Sequence, residues 1–181
     1  MNIFIYFSLL ILEVLILFAI CVYGIGLLFS ALKEAPYVPT SRKKLQEILD
    51  VIKPKNNCLF FELGSGDGRL LRYVVTKYGV RGVGIEVNPL LVWLSRTLAK
   101  RSKLKNITFL RQNIFSTDLS EANYIYIFLM PELIVKLLPK FKDELKKGTV
   151  IISHGFKIVS WEKKLWKTLP ASTFSTYYYK I

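Results

Sequence analysis

The first thirty or so residues carry apolar side chains without a period. From Asn2 to Leu32 the one charged residue is Glu13, and Val14 to Leu32 alone is an uninterrupted apolar run long enough to cross a bilayer as a helix. Beyond it the pattern becomes periodic. Leu45, Ile48, Leu49 and Ile52 recur on one helical face until Pro54, with Thr40 or Ser41 placed to cap the start. Cys58 to Leu63 is apolar but for Glu62 and reads as a buried strand. Three alternating glycines follow, Gly64, Gly66 and Gly68, and then Leu70, Leu71, Val74, Val75 and Tyr78 return at helical spacing. Strand, tight turn and helix make the first half of a βαβ unit.

The same alternation continues. Arg81–Glu86 predicts a second strand; Asn88 caps a helix with Pro89 at its first position, and Leu90, Leu91, Leu94 and Leu98 should form its buried face. Ile107–Leu110 predicts a third strand. Tyr124–Leu129 predicts a fourth, apolar throughout as a central parallel strand should be. The helix through Leu133, Val135, Leu137 and Leu138 should stop at Pro139, with Phe141 to Leu145 adding a turn or two before Gly148. Thr149–Ser153 predicts a fifth strand, and segments around 166–169 and 173–180 an edge hairpin. The expected fold is α/β, with an apolar segment at 1–32, a strap and capping helix at 33–53 and the main domain at 54–181.

Charge and cysteine usage narrow the classes. Among 181 residues the formal net charge is +13, and every Lys and Arg lies beyond the apolar segment. A basic surface suits anionic lipid, acidic protein or nucleic acid, or is simply a solvated face. Two cysteines and one histidine exclude a Cys/His-rich zinc site and a disulfide framework, so no metal is expected. A cleaved signal peptide fits poorly, since no basic region precedes the apolar stretch. Lys33, Arg42, Lys43 and Lys44 follow it, which by the positive-inside rule places the globular part on the cytoplasmic side of a single-pass protein. Glu13 then belongs at the outer membrane interface. Pro36 and Pro39 impose an extended strap, either a plain linker or a cover for a ligand with Tyr37 and Thr40 turned inward.

Candidate chemistry centres on the glycine turn, whose helix N-terminus is suited to a polar or anionic group. A dinucleotide fingerprint wants G-x-G-x-x-G, but Arg69 stands at its third glycine. Glu62-x-Gly64-x-Gly66-x-Gly68 instead resembles the first motif of class I S-adenosylmethionine-dependent methyltransferases. Glu86 stands 22 residues past Gly64, where a βαβ ligand site places its ribose-binding acid. Asn113, after the third strand, is either a turn residue or a partner for an adenine edge, with Ile114 or Phe115 against the base. His154 closes the fifth strand at the edge where open α/β sheets bind ligands, and is either a structural histidine or one that orients a substrate.

The apolar segment, Pro36-Tyr37-Val38-Pro39-Thr40, Glu62-Leu63-Gly64-Ser65-Gly66-Asp67-Gly68-Arg69, Gly84-Ile85-Glu86-Val87-Asn88 and Ser153-His154-x-Phe156 with Trp161 occur together. On these residues the chain resembles the small seven-β-strand protein lysine methyltransferases, which include archaeal broad-specificity enzymes and membrane-anchored mitochondrial enzymes acting on the ATP synthase c-subunit and the adenine nucleotide translocase. The resemblance implies a Rossmann-like class I fold, a mostly parallel seven-stranded sheet with helices on both faces, preceded by one transmembrane helix. It implies S-adenosylmethionine as cofactor. Glu62, Gly64, Ser65, Gly66, Asp67 and Gly68 would hold its methionine part, Glu86 with Val87 and Asn88 the ribose, and Asn113 with Ile114 the adenine. Phe128 would line the same site, the strap from Tyr37 to Thr40 would close over it, and Tyr37 and His154 would orient the amine. Glu62 departs from the Asp of many relatives, keeping the charge and lengthening the reach. Phe128-Leu129-Met130-Pro131 lacks the Asn/Asp-Pro-Pro-aromatic signature of nucleic-acid amino-methyltransferases, which speaks against nucleic acid as substrate. The expected partners are a bilayer, through 1–32, and a protein presenting lysine. The expected location is a membrane, facing the cytoplasm or a mitochondrial matrix. Competing readings are methylation of a lipid or quinone, and a silent membrane docking module.

Overall fold

The structure, a computed structural model, describes residues 3–32 and 41–181, with side chains from 3–25 and 41–181. The chain divides into two compact units, 1–37 and 38–181. In the first, α1 (Ile3–Leu32) is one unbroken helix, and its Ile3–Ile25 stretch is long and apolar enough to cross a membrane. At 1.5 Å per residue α1 measures about 45 Å, against a hydrocarbon core of about 30 Å, so its length leaves room for Glu13 at an interface. The strap, with Lys33, Tyr37 and Thr40, lies outside the described residues.

The second unit holds α2 (Arg42–Ile52), β1 (Leu59–Leu63), α3 (Arg69–Tyr78), β2 (Arg81–Glu86), α4 (Pro89–Arg101), β3 (Ile107–Arg111), β4 (Tyr124–Ile127), α5 (Pro131–Glu144), β5 (Val150–His154), β6 (Leu165–Leu169) and β7 (Thr176–Lys180). A single turn of 3₁₀ helix lies at Ile114–Ser116, and two, joined across a kink at Trp161, at Val159–Lys164. The strands form one sheet in the order β3-β2-β1-β4-β5-β7-β6. β1 to β5 are parallel, and β7 runs antiparallel to both β5 and β6. Order reverses between β1 and β4, the switch point at which such sheets bind ligands.

Side-chain alternation along the strands feeds two cores. Phe60, Tyr126, Ile152 and Tyr178 pack with α2 and α3 through Leu45, Ile48, Leu49, Leu71 and Val74. Phe61, Ile125, Ile151 and Tyr179 pack with α5 and Trp161 on the other face. Ser41 caps α2, its hydroxyl accepting from Lys44 N at 3.3 Å, and the Tyr178 hydroxyl donates to Ile48 O at 2.9 Å, so α2 is part of the sheet's own core.

Two local expectations are corrected. Pro139 does not end a helix; α5 runs through it to Glu144. Leu133, Ile134, Leu137 and Phe141 are buried on both sides of it, whereas Pro139 and Val135, whose carbonyl loses its partner, face water. Burial of that continuous face offsets a proline cost of about 3 kcal/mol. In α4 the buried residues are Val92, Ser95 and Ala99, while Leu90 is exposed and Leu91, Leu94 and Leu98 are half-buried. The helix lies close to the sheet: Ser95 Cβ is 3.2 Å from where a Gly68 Cβ would stand, and the Arg96 guanidinium donates to Phe109 O at 2.9 and 2.7 Å. Only small side chains fit that approach.

Candidate functional site

β1 ends over a turn that is pinned to its neighbour. Gly64 N and Ser65 N both donate to Ile85 O at 2.9 Å, and Gly68 N donates to Ser65 O at 2.7 Å. Gly64, Gly66 and Gly68 have φ of 78°, 52° and 70°, a region that disfavours any residue with a Cβ. Gly68 serves packing as well as shape: a Cβ there would lie 2.2 Å from Phe109 Cζ. Asp67 then receives the start of α3, its Oδ1 accepting from Arg69 N at 2.9 Å while its Oδ2 lies 3.5 Å from the Arg69 guanidinium.

Glu86 organises the turn from the end of β2, the strand beside β1. Its Oε2 accepts from Gly66 N at 3.0 Å, and its Oε1 from Val87 N and Asn88 N at 2.8 Å each. A carboxylate offers roughly four acceptor sites; the backbone takes three, and the one remaining is on Oε2, beside the glycine turn. Asn88 Oδ1 accepts from Leu90 N at 3.0 Å and starts α4. Asn113 Oδ1 accepts from Phe115 N at 3.0 Å, at the start of the 3₁₀ turn, so its amide N–H₂ is the part left to meet a base. Ile114 is half-buried against the α5-side core.

Glu62 is buried, and neither its Oε2 nor the Ser65 hydroxyl has a hydrogen-bond partner among the described residues. Burial first, and then the Asp67 carboxylate, hold the Glu62 carboxyl well above the usual range. A buried acid with one oxygen left without a partner, beside the glycine turn, is suited to a ligand bringing a cation or hydrogen-bond donors. The cationic methionine end of S-adenosylmethionine fits that donor demand, and its ribose hydroxyls fit the free site on Glu86. Among the described residues no cluster of His, Cys, Asp and Glu is arranged to hold a metal ion.

His154 and Phe128 form a second group, two strands from β1. Their rings meet edge to face at 4.7 Å, and Phe128 follows directly on β4, the strand that pairs with β1. His154 Nδ1 lies 2.9 Å from Thr176 Oγ1. Burial, with a contribution from the Lys44 charge, pushes its imidazole down to about 4. Tyr126 stacks against it at 6.2 Å, and Phe174 closes the group at 6.0 Å from His154. Glu62 pairs with Tyr126, and Tyr126 with Ile152 two residues before His154, so all three polar side chains share the α2–α3 face. Sequence reasoning missed Tyr126, Phe174 and Thr176; the signal available was the run of aromatics leading into β7.

A family model described as the ANTKMT methyltransferase domain matches residues 62–165. A protein-lysine N-methyltransferase of Saccharolobus islandicus is 31% identical over 137 residues, 75% of this chain and 85% of that one. The human lysine N-methyltransferase of the ATP synthase c-subunit is 29% identical over 147 residues, 78% of this chain but only 62% of the relative's length. A solved structure titled as an RNA methyltransferase from Salinibacter ruber, in complex with S-adenosyl-L-homocysteine, is 30% identical with a TM-score of 0.75. The match covers 80% of this chain and 94% of that one.

Proposed function

As the chain belongs to the family of ANTKMT methyltransferase domains, we propose that this S-adenosylmethionine-dependent methyltransferase acts on lysine side-chain amines of proteins. We place its substrates in a membrane to which α1 tethers it. One observation carries the reading at the level of the site: the glycine turn clamped to Glu86, with the Glu62 Oε2 and the Ser65 hydroxyl left without partners. The lysine assignment is supported by the activities named for the relatives. Tethering would raise the concentration of enzyme at membrane substrates.

The bound cofactor supplies a methyl group already activated by its sulfonium. What remains for the protein is to bring an amine, freed of its proton, into line. Lysine ordinarily titrates near 10.4, so a site that removes water favours the neutral amine. Phe128 and the neutral His154 provide such surroundings. Glu62, Ser65 and the turn would hold the methionine part, Glu86 a ribose hydroxyl, and Asn113 with Ile114 the base.

Detergent-solubilised membranes incubated with the protein and labelled methyl donor should acquire label on lysine of protein. Label confined to lipid would refute the reading. The neighbour titled as an RNA methyltransferase and the net charge of +13 favour RNA as the second reading, so total RNA is included in the same assay.

A further inference from the structure

Three rings converge where β4 and β5 end and β7 begins. Phe128 meets His154 at 4.7 Å and Phe174 at 5.1 Å, both edge to face, and His154 meets Phe174 at 6.0 Å. The backbone is shaped around them. Gly155 holds φ at 88°, and a Cβ there would stand 2.9 Å from Phe128 Cε2 and 3.5 Å from Phe174 Cδ1. Gly155 N donates to Ser175 O at 2.8 Å, which fixes the Phe174 segment against the end of β5. His154 is locked between the two phenylalanines by Thr176, its register partner on β7.

Both phenylalanines remain partly exposed, and Phe174 belongs to neither core cluster. Phe128 packs at the rim of the α2–α3 core, but stabilisation of the sheet does not account for Phe174. They stand at the ligand-binding edge, on the face that carries Glu62, with β4 alone between β5 and the glycine turn. We propose that Phe174, acting with Phe128 and His154, forms the aromatic wall that receives the alkylammonium side chain of the substrate, and that Phe174 is a specificity-determining residue. The methylenes of such a side chain lie against ring faces, and its cationic head is attracted by the ring quadrupole on approach. His154, uncharged at neutral pH, does not repel that head. This inference rests on the proposed amine substrate.

The test uses the full chain in detergent, with the solubilised membrane preparation as substrate and the dose giving half-maximal protein labelling as readout. Phe174→Ala should raise that dose roughly tenfold, the size of one lost cation–π and packing contact. Its affinity for S-adenosylhomocysteine by calorimetry should stay within about twofold of the parent, since no cofactor contact is removed. Phe174→Leu, which keeps apolar bulk and loses the ring, should fall between them and decides the matter if the alanine variant does not fold. An unchanged half-maximal dose in either folded variant overturns the inference, as does a parallel loss of S-adenosylhomocysteine affinity. A parent protein that labels only lipid or RNA refutes the proposed function instead.

Discussion

Replacing Glu86 with Gln changes almost no volume, yet the site has no good orientation for the amide. Turned one way, its NH₂ faces Gly66 N–H; turned the other, it faces Val87 N–H and Asn88 N–H together. The first loses fewer bonds. It leaves a buried Gly66 donor unpaired and converts two charge-assisted bonds into neutral ones, a total of roughly 3–5 kcal/mol. The glycine turn is thereby released from β2 on one side, and the acceptor on Oε2 is gone. Affinity for S-adenosylhomocysteine should fall a further 10- to 100-fold, for one hydrogen bond to a charged group worth about 1.5–3 kcal/mol. Urea denaturation of the full chain in detergent, followed by fluorescence, measures the first quantity and calorimetry the second. A Glu86→Gln variant whose stability lies within about 0.5 kcal/mol of the parent would refute the reasoning, because one buried donor would then have lost its acceptor, and two more their charged one, at no cost.

Other outcomes follow from the same geometry. Glu62 holds its proton to higher pH in the native protein than in the unfolded chain, and a ligand ammonium beside it favours the ionised form. Binding of S-adenosylhomocysteine should therefore release a proton, and affinity should rise with pH. Calorimetry in two buffers of different ionisation enthalpy checks this; identical enthalpies, or a difference that survives Glu62→Gln, count against it. His154 is displaced the opposite way, from 6.5 to about 4, so the unfolded chain takes up a proton that the native protein refuses. Stability should be lost as pH falls from about 6.5 towards 4, by at most about 3 kcal/mol, and denaturation of His154→Gln should lack that slope. Gly68→Ala places a Cβ 2.2 Å from Phe109 Cζ at a positive φ, and should cost roughly 3 kcal/mol without any ligand present. Adding Phe109→Leu should recover part of that loss in the same denaturation assay.

Elements whose ends are decided by local chemistry were legible from the residues alone. Arg81–Glu86 is a strand over the expected residues, Ser41 caps α2, and Asn88 with Pro89 opens α4, because each boundary depends on a few adjacent side chains. Pro139 misled because its local preference lost to a buried face extending past it on both sides. The inner face of α4 was misread for a related reason. Leucines at helical spacing ordinarily mark the buried side, but here the distance of approach selected Ser95 and Ala99 instead, and that distance depends on Gly68 and Phe109, which lie far away in sequence.

The site divides along the same line. Glu62, the glycines and Glu86 lie within one βαβ unit, where spacing along the chain reports spacing in the fold. The group around His154 does not. Its members come from β4, β5 and the approach to β7, and only the antiparallel register that sets His154 opposite Thr176 brings Phe174 to Phe128. A hairpin expected at the sheet's edge carried no indication that its second strand would lie against β5 and bring Phe174 to His154 there. The proposed cofactor contacts are therefore written locally, whereas the surface proposed for the second substrate is assembled from segments that meet only in the folded sheet. Substitutions around β7 can alter that surface without disturbing the turn at Gly64, which is the physical basis for separating Phe174 from Glu86 by experiment.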